Sequence, residues 1–129
     1  MSKFDTLAQA QEDGRAPWDN VVVDTREFVV YRDGFPVTEG HLLVVPKVNN
    51  QEEVMKCFKY AMGIGNENAE HSSNDITGYN IGLNVGASAG QTCMYPHVHM
   101  IPRRDGDCED PRGGVRHCVP NGKGNYFKR

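Results

Sequence analysis

The sequence predicts an α+β domain: an antiparallel sheet of about five strands, one main helix, and a shorter N-terminal helix or arm. Three observations carry that expectation. Five runs are rich in β-branched or aromatic residues and bounded by Gly, Pro, Asn or Asp. One long stretch, 49–71, repeats its apolar residues at helical spacing. The glycine-rich link between the last two β runs is shorter than the roughly dozen residues a parallel crossover needs, which favours antiparallel pairing.

Taken in order, residues 1–17 are polar, run into "RAPW", and read as a short helix or an arm. "VVVD" at 21–24 and "FVVYRD" at 28–33 flank the charged "TRE" and read as a hairpin. "GFPVTEG" is turn chemistry, with Gly34, Pro36 and Gly40. "HLLVVPK" at 41–47 is a near-continuous apolar strand closed by Pro46. The helix follows, with asparagines placed to cap it, then acids, then Val54, Cys57, Phe58 and Met62 on one face. "ITGYNIGLNVG" at 76–86 alternates, placing Tyr79, Ile81, Leu83 and Val85 on one side. "GASAGQT" connects it to "MYPHVHMIPR", the last strand. Residues 104–129 are rich in Gly, Pro, Asp and Arg and read as an ordered C-terminal tail.

A chain of 129 residues suits a single core. With 38% apolar and 24% charged residues and a net charge of −3, it has no electrostatic footprint for nucleic acid or an anionic membrane. No apolar run approaches the roughly 20 residues of a spanning helix. The polar N-terminus has no signal-peptide core, so the expected location is cytoplasmic. Cys57, Cys93, Cys108 and Cys118 form no C-x-x-C pair and read as free thiols. Cys108, His117 and Cys118 could share a metal, but no fourth ligand is evident, and no metal is assigned.

Side chains two apart on a strand share a face. Tyr95, His97, His99 and Ile101 then point one way; Pro96, Val98, Met100 and Pro102 point the other. The second set is apolar and suits a core. The first carries two imidazoles and suits a polar groove. Two histidines on a strand are most often just a solvated face, but here a glycine loop with Ser88 and Thr92 leads straight into them. Glycines let backbone N–H groups approach an anion. Imidazole titrates near neutrality and attacks phosphorus. The combination points to phosphoryl or nucleotidyl transfer with no required cofactor. His41, opening the strand after Gly40, is a third imidazole; alone it reads as a strand-end histidine with a satisfied hydrogen bond.

"GLNVGASAGQTCMYPHVHMIPR" resembles the signature of the histidine triad (HIT) superfamily of nucleotide hydrolases and transferases, roughly G-x-N-x-G-x-x-A-G-Q-x-x-x-H-x-H-x-H-x-x-P-R. Gly82, Asn84, Gly86, Ala89, Gly90, Gln91, His97, His99, Pro102 and Arg103 match. "GHLLVVPK" and the upstream "YRDGFPVTEGH" resemble a second block, and "DPRGGVRHCVP" resembles the tail of some members. Tyr95 stands where the first histidine of the triad is expected. A rival register, with His97 first and His99 as nucleophile, puts Gln91 and Pro102-Arg103 out of step and Ile101 at a polar place.

The resemblance implies a single HIT-like domain over 1–129 and a catalytic group of His97, His99, His41 and Tyr95. His97 would be the nucleophile. His99 and His41 would face the phosphate, and the Tyr95 backbone carbonyl would set the nucleophile's tautomer. Asn84, Gly90, Gln91 and Thr92 would hold the α-phosphate and leaving group, and Asp33 the ribose hydroxyls. The implied substrate is a small-molecule nucleotide, either a nucleoside phosphoramidate or a dinucleoside polyphosphate, cleaved through a nucleotidyl-histidine. The implied assembly is a homodimer. Two other readings stand beside it: a nucleotide-binding module with little turnover, kept open by Tyr95, and a metal-binding protein using His41, His97, His99 and cysteines.

Overall fold

The computed structural model describes residues 4–71 and 73–125. Its elements are α1 (Leu7–Glu12), β1 (Val21–Asp24), β2 (Phe28–Arg32), β3 (Leu42–Pro46), α2 (Gln51–His71), β4 (Ile76–Leu83) and β5 (Val98–Arg104), with a 3-10 turn over Gly114–Cys118 in the tail. The five strands form one antiparallel sheet in the order β1-β2-β3-β5-β4. The α+β expectation therefore holds, with one main helix and a short N-terminal one.

The N-terminal segment is tied down. Thr6 and Gln9 form a capping box on α1, each side chain bonding the other's backbone N–H. Leu7 N–H donates to the Lys47 carbonyl at 3.0 Å, and Asn49 Nδ2 donates to the Phe4 carbonyl at 2.7 Å. Asn50 caps α2 by accepting from Glu53 N–H at 2.8 Å.

The sheet has two unlike faces. On one, α2 lays Val54, Cys57 and Ala61 against Phe28, Val30, Val44, Val98 and Met100. Gly65 continues the buried stripe because the Tyr79 ring lies against it; a Cβ there would sit 2.5 Å from that ring. On the other face, Leu7 and Ala10 of α1 join Ala16, Val29, Tyr31, Leu43, Val45 and Tyr95 in a second cluster.

Three sequence expectations change. Met62 is 49% exposed, because the buried stripe of α2 runs through Ala61 and Gly65 instead. β4 ends at Leu83, and Val85 is exposed beyond it. β5 begins at Val98, so Tyr95 and His97 precede the strand: pairing with β3 stops at Val44↔Val98 and pairing with β4 at Leu83↔Val98. Two prolines also sit in this sheet without breaking it. Pairing between β3 and β5 ends at Leu42↔Met100, so Pro102 is laddered only to Tyr79 of β4, and Pro46 lies past the other end of the same ladder.

Candidate active site

Four groups converge at the mouth of β5. His99 lies in the strand, facing Leu43 on one side and Gly82 on the other. Glycine at position 82 leaves open space beside the imidazole. His41 sits just before β3 and is 3% exposed. Its Nε2 is 2.9 Å from His99 Nδ1 and 3.4 Å from Asp33 Oδ2. His97 stands with its ring edge-on to His99, centroids 5.1 Å apart.

The partners of these rings determine their protons. A carbonyl only accepts, so the 2.8 Å contact between His97 Nδ1 and the Tyr95 carbonyl places the proton on Nδ1 and leaves Nε2 with a free lone pair. A backbone N–H only donates. Val37 N–H reaches His41 Nδ1 at 3.0 Å, so His41 carries its proton on Nε2 and donates it to His99 Nδ1. His99 in turn keeps its proton on Nε2. The site thus holds one bare nitrogen, on His97, beside one N–H donor, on His99.

All three imidazoles are held neutral around neutral pH. Burial lowers the pKa of His41 and of His97, against the opposing charge of Asp33. His99 falls furthest, to about 4, first through burial and then through the charges of His97 and His41.

Tyr95 lies on the histidine side but in the core. It is fully buried, and its hydroxyl donates to the Pro46 carbonyl at 2.8 Å. That carbonyl lies past the end of the β3–β5 ladder, so the phenol supplies the partner the ladder does not. The side chain acts as an anchor, and what it presents to the site is its backbone oxygen.

The loop before it is built differently from the expectation. Gly86 and Gly90 adopt φ of 94° and 90°, a region that favours glycine. The N–H groups of Ala89, Gly90 and Gln91 all bond carbonyls inside the loop. Gln91 is buried, accepts Gly86 N–H at 2.8 Å, and donates to the Cys93 and Met94 carbonyls. Gly90 N–H and the Gln91 amide therefore hold the loop shut instead of reaching outward. The hydroxyl-bearing Ser88 and Thr92 are exposed. Asn84 and Gln91 border an apolar cleft of about 280 Å³ on the α2 side, with Val54, Met55, Phe58 and Pro96, and none of the histidines lines it. Asp33 accepts Phe35 N–H at 2.7 Å through one oxygen and faces His41 with the other.

Asp33, His41 and His99 are also the one trio among the described residues whose ligating atoms converge, all within 4.8 Å. A metal-bound histidine normally turns its other ring N–H toward an acceptor. Here Val37 offers His41 a donor, so the trio does not fit a resident metal in this arrangement. The four cysteines are free, and His117 Nε2 donates to the Arg112 carbonyl.

Sequence reasoning passed over Trp18. Its ring centroid is 4.9 Å from that of His97 and 6.0 Å from that of Tyr31. The one signal was a lone tryptophan at the end of a polar segment.

The HIT domain family model matches residues 16–106. The chain is 33% identical over 84 residues to adenylylsulfatase HINT3 of Arabidopsis thaliana, an alignment covering 59% of this chain and 41% of the relative. It is 35% identical over 82 residues to bis(5'-adenosyl)-triphosphatase of Dictyostelium discoideum, covering 58% and 54%. It thus spans about half the length of these curated relatives. A crystal structure of a Zn-bound histidine triad family protein from Mycobacterium smegmatis matches with a TM-score of 0.65 and 31% identity, over 79% of this chain and 77% of that one.

Proposed function

This chain belongs to the HIT family, and we propose that it is a nucleotide hydrolase that attacks the α-phosphate of a nucleoside phosphoramidate or dinucleoside polyphosphate through His97. The observation that carries this reading is the bond from His97 Nδ1 to the Tyr95 carbonyl, which leaves Nε2 as a free nucleophile. Tyr95 occupies the place of the first triad histidine. That substitution is compatible with turnover because the required group is a backbone oxygen, and the buried phenol holds it in place.

In the first step the Nε2 lone pair bonds phosphorus, and the bond to the leaving group breaks. His99 Nε2–H is the donor available to the charge growing on the phosphate or to the departing atom. Water then cleaves the nucleotidyl-histidine and returns the lone pair to Nε2. Asp33 would bind the ribose hydroxyls while also bordering His41. The exposed hydroxyls of Ser88 and Thr92 supply phosphate contacts in place of the loop N–H groups. No step needs a metal. The family relationship also supports a symmetric homodimer, which sedimentation or light scattering checks.

The deciding experiment is a panel of adenosine phosphoramidates and dinucleoside polyphosphates, with acid quench during a slow turnover. The expected product is a nucleotidyl group mapped to His97. A label on His99 overturns the assignment. Binding of adenosine monophosphate with no turnover of any substrate would favour the binding-module reading.

A further inference from the structure

Trp18 is the only tryptophan of the chain, and it is half-buried between α1 and β1. It packs against the α1-side core, and its ring also lies tilted against that of His97, at a centroid distance of 4.9 Å and an interplanar angle of 52°. Packing on Tyr31 alone, at 6.0 Å, would be served by any apolar side chain. The second contact brings the indole close to the one ring whose charge changes during the proposed reaction.

That change follows from atom balance. Before attack, His97 is a neutral imidazole with a proton on Nδ1. When its Nε2 lone pair forms the bond to phosphorus, the bond to the leaving group breaks and that group departs with the electron pair, taking up a proton from solvent while the neutral His99 N–H keeps its own proton and only hydrogen-bonds. His97 now carries substituents on both nitrogens and bears one positive charge. In the second step a water oxygen bonds phosphorus, the N–P bond breaks, the pair returns to Nε2, and the proton of water is lost to solvent. A cation within about 6 Å of an indole centroid is attracted by the ring's quadrupole.

We propose that Trp18 is a positioning residue that supports, through its indole ring, the positive charge on His97 in the nucleotidyl-histidine intermediate. This rests on the nucleotidyl-transfer reading of the site. The same ring would favour the protonated form of free His97, so the contact has a readout independent of turnover. The rival role for a half-buried indole is a platform for the nucleotide base, and it has a different kinetic signature.

The experiment replaces Trp18 by Phe and by Leu, and by a series of fluorinated tryptophans that keep its shape while draining the ring's electron density. Two quantities are read: the His97 pKa by NMR of the imidazole, and kcat separately from KM. The titratable groups near His97 are Asp33, His41, His99 and, beyond Trp18, Tyr31, so the titration is repeated with Asp33→Asn and with His99→Asn. The expected result is a stepwise drop in the His97 pKa along the fluorinated series. A fall in kcat should follow it, reaching roughly 3- to 30-fold for Trp18→Leu with KM little changed. A loss confined to KM, or a His97 pKa unmoved by fluorination, overturns the proposal. The fluorinated proteins guard against a Leu variant that merely folds poorly. Wild-type protein inert on the whole substrate panel would instead overturn the nucleotidyl-transfer reading, and is seen before any variant is made.

Discussion

The two faces of β5 solve different problems with the same alternation. Toward α2, Val98, Met100 and Pro102 are buried, two of them in a continuous apolar cluster. Toward the other side, His99 and Ile101 are only half-buried. There, α1 and its cluster cover β2 and β3, and the cover reaches the β5 side only as far as Tyr95. The site exists where that cover stops. Tyr95 is core; two residues later, His97 is only half-buried and stands beside His99. A residue's surroundings here therefore depend on how far α1 and its cluster extend, since Tyr95 and His97 both precede β5 and strand alternation places neither.

The comparison can be broken at its chemical end first. His97→Asn should lower turnover by roughly 10³-fold or more, while denaturation shows stability within about 1 kcal/mol of wild type. If most of the activity survives, the bare nitrogen lies elsewhere.

The structural end comes next. Met100→Ala, on the α2 face and 1% exposed, should cost about 2–5 kcal/mol of stability with kcat of the folded fraction unchanged. Met62→Ala, at 49% exposure, should cost within about 0.5 kcal/mol. Equal losses at the two methionines would contradict the assignment of faces.

Tyr95 tests the boundary itself. Tyr95→Phe removes the partner of a buried carbonyl and should cost about 1–3 kcal/mol in urea unfolding. Its turnover should stay within about threefold of wild type, because the backbone carbonyl remains. Tyr95→His should be at least as destabilising, since a smaller polar ring replaces a fully buried one among apolar neighbours. A stable but inactive Phe variant would give the phenol a catalytic role.

The smallest effect is a pH dependence. Above about pH 6.5 both folded and unfolded chains hold His41, His97 and His99 neutral. As pH falls, the unfolded chain takes up protons first, because each folded pKa is lowered, that of His99 to about 4. Protons bound preferentially by the unfolded state destabilise the fold. Stability should therefore decline between about pH 6.5 and 4, and less so in His99→Asn. Turnover should hold its plateau somewhat below pH 6.5, because neutral His97 persists there. A stability curve that rises toward pH 5 would reverse the sign of these shifts.

Much of this was legible in the sequence because it is encoded locally. The hairpin of β1 and β2, the apolar run of β3, the capped α2, and the alternation through Val98, His99 and Met100 all follow from residues near one another in the chain. So does His97's tautomer, since its partner is two residues away. Other features depend on contacts between distant segments. His41, Asp33 and His99 meet only because β5 inserts beside β3, some 58 positions along the chain from His41. Trp18 reaches His97 across the sheet, and Tyr95 is core only because Pro46 needs a partner and α1 closes over β2 and β3. Gln91 matched a phosphate-binding motif, yet its amide closes its own loop. Periodicity and motif are local quantities, whereas burial and hydrogen-bond partnership depend on what the folded chain brings alongside; the sequence determined which residues share a face, and the tertiary structure decided which of them are covered.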